Sequence, residues 1–284
     1  MLPIVGILIV LGAVIGGYLM AHGNLRVLFQ PAELVIIGGA AFGTLFIANP
    51  LPTVKQIFIG TFRIFAANHF TKAHYLENLK MLNELFQTAR KGGMAKLEAD
   101  VEEPDKSAVF SKYPKFLKDK HSVHFVCDTL RMSITGGVGA FELDQMMELD
   151  MEVHHQETGE PVLALSQMAD ALPGLGIVAA VLGVVITMGS LGGPPEEIGA
   201  HVAAALVGTF LGILLCYGFF GPIAANLGKL NEDETRYYQF LRMALISFVR
   251  GAAPLLALEF ARRAIPAKVR PSFKEMEESF KKGG

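Results

Sequence analysis

The chain has 284 residues, of which 51% are hydrophobic and 18% charged, and its mean hydropathy is +0.40. An ordinary soluble domain carries more charge, about a quarter of its residues, so the composition speaks against one. The net charge of −2 decides little, because charges crowd some stretches and are absent from others. Two cysteines, Cys127 and Cys216, make no disulfide framework and read as small packing residues.

Taken in order, the chain opens on an apolar stretch, Leu2–Ala21, with no positive leader segment or small-residue cleavage site. It reads as a retained helix. Three more stretches reach the roughly 20 residues that a bilayer crossing needs: Ala32–Asn49, Ala171–Leu191 and Ala200–Leu227. Glu33 is the only acid within these four limits, and no Lys or Arg lies inside them. Short connections, His22–Pro31 and Gly192–Gly199, join the first and second pairs.

A polar region, about Pro50–Asp170, separates the two pairs, and a polar tail follows the fourth stretch. Of 25 Lys and Arg residues, 13 lie in the central region and 11 in the tail. Cytoplasmic loops collect such charge, so both regions, and with them both termini, are expected in the cytoplasm. Lys55, Arg63, Lys229 and Arg236 lie closest to the spans. In the central region, His69–Arg90 carries Tyr75, Leu79, Leu82 and Phe86 at helical spacing, and Gly92-Gly93 stops it. Leu117–Ile134 predicts a second helix, stopped by Gly136-Gly137. Phe141–Glu160 predicts a third, with a continuation through Pro161 left open. Glu232–Val249 predicts an amphipathic helix in the tail. The expected fold is an all-α membrane protein: four transmembrane helices with a large helical cytoplasmic domain. The expected divisions are 1–50, 51–170, 171–227 and 228–284.

Small residues recur at four-residue spacing: Gly12 with Gly16, Gly39 with Gly43, Gly176 with Ala180, Ala179 with Gly183, and Ala204, Gly208 and Gly212 in one line. Such spacing lets helix backbones approach closely, within the chain, between copies or against another protein. Pro173 is read as opening the third span, and Pro222 lies near the end of the fourth. Each either ends its helix or kinks it.

Proton relays need an ionisable group at depth. The third and fourth spans have none in their middle, only hydroxyls such as Thr187, Ser190, Thr209 and Tyr217. A proton-conducting role therefore calls for a carboxylate from another polypeptide. Asp170 and Glu33, at span edges, are expected as helix caps. His121, His124 and Asp128 share a helical face, read as a solvated or packed surface and not a metal site. No phosphate loop, dinucleotide fingerprint or HExxH occurs. No enzyme activity, cofactor, metal or nucleic-acid partner is expected. The charged run from Arg90 to Asp100, beside Gly92-Gly93, reads from its spacing as a solvated hairpin tip.

Five stretches carry a resemblance: QPAELVIIGGA (30–40), ARKGGMAKLEADVEEP (89–104), LPGLGIVAAVLGVV (172–185), VGTFLGILLCYGFFGPIA (207–224) and VRPSFKEMEE (269–278). In that order they resemble the MotA family of flagellar stator subunits over nearly the whole chain. The resemblance implies a ring of five copies in the bacterial inner membrane around two copies of MotB. MotB's single helices carry the proton-binding aspartate and anchor the unit to peptidoglycan. It implies contact with the rotor protein FliG through residues matching Arg90 and Glu98, and coupling prolines matching Pro173 and Pro222. Sodium-type relatives carry a threonine seven residues after the first of these prolines. Ala180 stands there, while Thr209 matches a threonine shared by both types, so proton use is expected. The rival readings are a TolQ/ExbB-like energiser, a scaffold without ion flow and a self-sufficient transporter.

Overall fold

The computed structural model describes residues 2–65, 70–189 and 191–281, and every regular element among them is helical. His69 and Ser190 lie outside the described residues. The helices divide between two compact units. One holds the first two spans together with Glu157–Leu230. The other holds the central stretch to Gln156 and the chain from Asn231 onward.

In the first unit, α1 (Leu2–Met20) is apolar throughout and buries none of its residues within the chain. A single turn, α2 (Leu25–Leu28), follows, capped by the Asn24 side chain accepting from the Arg26 N–H at 3.0 Å. Pro31 then opens α3 (Pro31–Ala48), which buries Ile37, Ala41 and Leu45 at helical spacing. After Asn49-Pro50 comes α4 (Leu51–Phe65), which buries Val54, Ile57 and Ile64. These faces pack with Ala164, Leu165, Met168 and Leu172 of a later helix into one apolar core.

The second unit begins with α5 (Lys72–Gly92), capped by Thr71, which accepts from the His74 N–H. Its apolar stripe is the predicted one: Tyr75, Leu79, Leu82 and Phe86 are all buried. Gly93 ends it at φ +82°, a backbone that side chains resist. Short helices α6 (Glu98–Glu102) and α7 (Pro114–Lys118) lead to α8 (Lys120–Thr135), which Asp119 caps through the Ser122 N–H and Gly136 terminates.

Next, α9 runs without a break from Ala140 to Gly189, 50 residues that include Pro161 and Pro173. This corrects two expectations. Pro173 lies inside a helix and does not open one, and Asp170 caps nothing, because helix precedes it as far back as Ala140. Each proline withholds one N–H from the carbonyl four residues earlier; at Pro173, buried Met168, Ala169 and Leu172 on one side and Ala179 on the other hold the helix through the gap. The chain continues through α10 (Pro195–Leu214) and α11 (Gly221–Val249). Then α12 (Pro254–Ala264) and α13 (Phe273–Lys281) complete the second unit.

The second unit has a conventional water-driven core. Phe86 stacks on Phe248 with ring centroids 4.1 Å apart, and Tyr237 donates to Asn78 at 3.1 Å. Arg242 binds Asp144 at 2.6 Å, and Glu259 is held by Arg262 and then Arg263 at a pKa of about 2. Burial pushes the Cys127 thiol up to about 12, as befits a packing residue. The expected His121–His124–Asp128 face is divided among separate contacts. Asp128 pairs with Arg131 and His124 is exposed. The His121 ring stacks on His154, centroids 3.8 Å apart, with Tyr238 edge-on to both. No cluster able to hold a metal occurs among the described residues.

Burial lowers the His121 pKa from its ordinary value, and the His154 ring adds to this, against Asp150, Asp119 and Glu234. Unfolding therefore lets His121 bind a proton more readily. Its share of stability is complete above about pH 6.5 and is lost as pH falls toward the lowered folded-state value. The full chain in detergent is expected to melt at lower temperature at about pH 5.5 than at about pH 7.5. His121→Phe keeps the ring stack and should reduce that difference. An equal difference in the variant would assign the effect to other groups.

Candidate functional site

In the first unit α9 and α10 run antiparallel and meet in a close-packed seam. Gly176 faces α10 so closely that a Cβ there would lie 2.8 Å from the Gly208 carbonyl oxygen and 3.1 Å from Gly212 Cα. A Cβ on Gly212 would come within 2.5 Å of the Leu172 carbonyl oxygen, and one on Gly183 within 2.7 Å of Ala205 Cβ. Only glycine permits this approach. In a bilayer, where apolar burial gives helices no preference for each other over lipid, such contact supplies the packing energy.

The structure distinguishes among the small-residue pairs that spacing treats alike. Gly176, Ala179, Gly183, Gly208 and Gly212 are in the seam, with Ala205 there and not Ala204. A Cβ on Gly12, Gly16, Gly39 or Gly43 would meet nothing within 4 Å in this chain. Ala180, one residue from the seam, is half-buried; Thr209, also half-buried, lines the seam through its backbone, with its Cα 3.3 Å from where a Gly176 Cβ would lie. Thr187 donates to its own helix, to the Gly183 carbonyl at 2.8 Å.

Below the seam the backbone ladder changes. Residues Leu215–Phe220 form a π-helical turn, in which the Gly221 N–H reaches the Cys216 carbonyl five residues back. Pro222 follows directly. A proline has no N–H to give to the fourth carbonyl before it, here that of Gly218, and its ring crowds that oxygen; a one-residue slip of the ladder relieves the conflict. Pro173 makes a similar gap in α9, and Asp170, three residues earlier, is exposed.

Glu33 was expected as a cap at the outer edge, and the structure corrects this. It lies two residues after Pro31, but Gln30 occupies the cap position with no side-chain cap bond. The Glu33 carboxyl is turned into the notch left by Gly208, where a Cβ would lie 2.7 Å from Oε2. Glu33 is 6% exposed, and Oε2 has no hydrogen-bond partner among the described residues. The cause is that α2 packs against α10, so the short connection descends along α10 and α3 starts deep.

In the second unit, Arg90 ends α5 and Glu98 opens α6, separated by the Gly93 turn and anchored by buried Leu97. Both side chains are exposed, and neither makes a hydrogen bond or ion pair among the described residues. By contrast Arg131, Arg242 and Arg262 are all paired.

Sequence comparison places this architecture. Residues 4–93 match the model for the motility protein A N-terminal region, and residues 118–239 match that for the MotA/TolQ/ExbB proton channel family. Motility protein A of Escherichia coli (strain K12) is 42% identical over 278 residues, covering 98% of this chain and 94% of the relative. The chain belongs to the motility protein A family. Another member-like relative, chemotaxis protein LafT of Vibrio parahaemolyticus, is 36% identical over 96% of the chain and 95% of its own length. The fold also matches solved structures of MotAB of C. jejuni (TM-score 0.77, 18% identity, 95% of this chain and 98% of that one) and of the flagellar MotAB stator complex of Bacillus subtilis (TM-score 0.73, 24% identity, 93% and 96%). As a member of this family the chain is a membrane protein, with four helices long and apolar enough to cross a bilayer among its described residues.

The seam yields a direct expectation. Gly212→Leu has no space against the Leu172 carbonyl and Gly176, and such overpacking costs about 1–3 kcal/mol or more. Little monodisperse protein should be recovered by size-exclusion chromatography. Gly43→Ala, which meets nothing in this chain, should leave recovery close to normal. Equal recovery of both variants would contradict the seam.

Proposed function

We propose that the chain is a stator subunit of the bacterial flagellar motor, forming with a MotB-type partner a proton-conducting complex that turns proton motive force into rotor torque. The observation that carries this is 42% identity with motility protein A of Escherichia coli over 98% of this chain and 94% of that one, joined to a glycine seam between two spans that carry no Asp, Glu, Lys, Arg or His in their middle. The match of residues 4–93 to the motility protein A N-terminal region favours this over a TolQ/ExbB-like energiser.

The subunit is placed in the inner membrane with both termini in the cytoplasm, consistent with an even number of spans and with Lys and Arg concentrated in the central region and tail. Five copies encircle the partner's single-span helices. A proton from the periplasm neutralises the partner's aspartate against α9 and α10 and leaves inward, and the change of charge alters which subunit face is favoured. One charge crossing 100 mV releases about 2.3 kcal/mol, so each step must be small. Pro173 and the π turn before Pro222 suit such a step, since both lack part of the normal ladder. Asp170, Ala180 and Thr209 flank the pathway, and Gly176, Gly208 and Gly212 pack its wall.

Arg90 and Glu98 are assigned to the rotor contact with FliG. Their freedom from internal partners supports this, because charges already paired inside the chain would have to be released first. Arg90→Glu is expected to cut swimming speed severalfold, with partial recovery when an acidic rotor residue is reversed to Lys. Failure of every rotor reversal to restore motility would remove Arg90 from the contact. Torque is expected to follow the proton gradient and to ignore Na⁺, since Ala180 offers no oxygen to a hard cation that needs several. Speed that rises with Na⁺ at fixed pH and voltage would overturn proton use.

A further inference from the structure

We propose that Glu33 is a proton-exchanging carboxyl of the ion pathway, supplied by this chain and seated in the Gly208 notch where α3 meets the α9–α10 seam; this rests on the stator reading above. Glu33 is the only acid within the four apolar stretches. Its position along the helices is deep. Gly208 lies eight residues inside the stretch that opens at Ala200, and Ala179 lies eight residues from Ala171, each about 12 Å at the helical rise. The hydrocarbon core is about 30 Å thick. A Cβ on Gly208 would meet Glu33 Oε2 at 2.7 Å, Ala179 Cβ at 3.2 Å and Glu33 Cδ at 3.3 Å. Carboxyl and methyl therefore fill the space that glycine leaves.

A purely structural role explains this poorly. An acid in the first turn of a helix stabilises it by accepting from free N–H groups there, yet Oε2 is buried with no donor. Glutamine or leucine of similar size would fill the notch without the cost of desolvating an acid. What a carboxyl can do at this depth, and those side chains cannot, is gain and lose a proton. The exchange is balanced: Glu33 takes a proton arriving from the outer side and gives the same proton up toward the inner side, with no other reactant. Gly208 is then needed twice, for close approach to Gly176 and for access of the acid to the seam.

The test uses the full chain co-expressed with its single-span partner, reading cytoplasmic acidification and swimming speed together with co-purification of the partner. Glu33→Gln and Glu33→Leu are expected to keep the partner bound while proton uptake and speed fall about tenfold or more, and Glu33→Asp to retain a measurable part of both. Wild-type uptake in Glu33→Gln would overturn the proposal. So would loss of the partner in Glu33→Gln, which would make the acid an assembly contact. Absence of uptake in the unmodified complex would instead contradict the stator reading itself.

Discussion

The contact between the backbones of α9 and α10 governs the first unit. Gly176 and Gly212 face each other with no side chain between them, and Gly183 meets Ala205 in the same manner farther along. In lipid, apolar side chains gain nothing by leaving the solvent, so close dispersion contact has to hold the helices together. Two consequences follow from that geometry. The seam has no room for an ionisable side chain of its own, and a third helix can place one there only where a glycine leaves space. Glu33 reaches the seam at Gly208.

Flanking the seam, the same two helices carry their weakest backbone. Pro173 withholds a donor in α9, and the π turn at Leu215–Phe220 takes up the conflict that Pro222 creates. Membrane-spanning helices must satisfy their own polar groups, so within the spans these interrupted turns are where the helices bend at reduced cost. Rigid close packing beside two compliant turns is the combination that a small, repeated step requires.

The second unit obeys the rules of water. Its core is aromatic and aliphatic, its buried hydroxyls are bonded, and most of its arginines are neutralised by nearby acids. Arg90 and Glu98 depart from that pattern. A turn fixed by Gly93 and buried Leu97 presents both to solvent, without a partner among the described residues. Surface charges of this kind contribute little to stability and are free to meet complementary charges on another protein.

The amino-acid sequence by itself determined the number of spans, the glycine stops after Arg90 and Thr135, and the buried stripe from Tyr75 to Phe86, because hydropathy and periodicity act locally along the chain. Its five motifs also carried the family. Only the tertiary structure decided that α9 continues through Pro161 and Pro173, which deprived Asp170 of a helix start to cap; at Pro173, packing on both flanks outweighs the proline's local preference. It also decided which of the equally spaced glycines touch: Gly176, Gly183, Gly208 and Gly212 do, and Gly12 and Gly39 do not. The depth of Glu33 was hidden for the same reason. Two residues after a proline, it reads as a cap at the membrane edge, and only the descent of α2 along α10 shows that this helix begins inside. Spacing tells which side chains share a face, but what that face meets depends on residues far away in the chain.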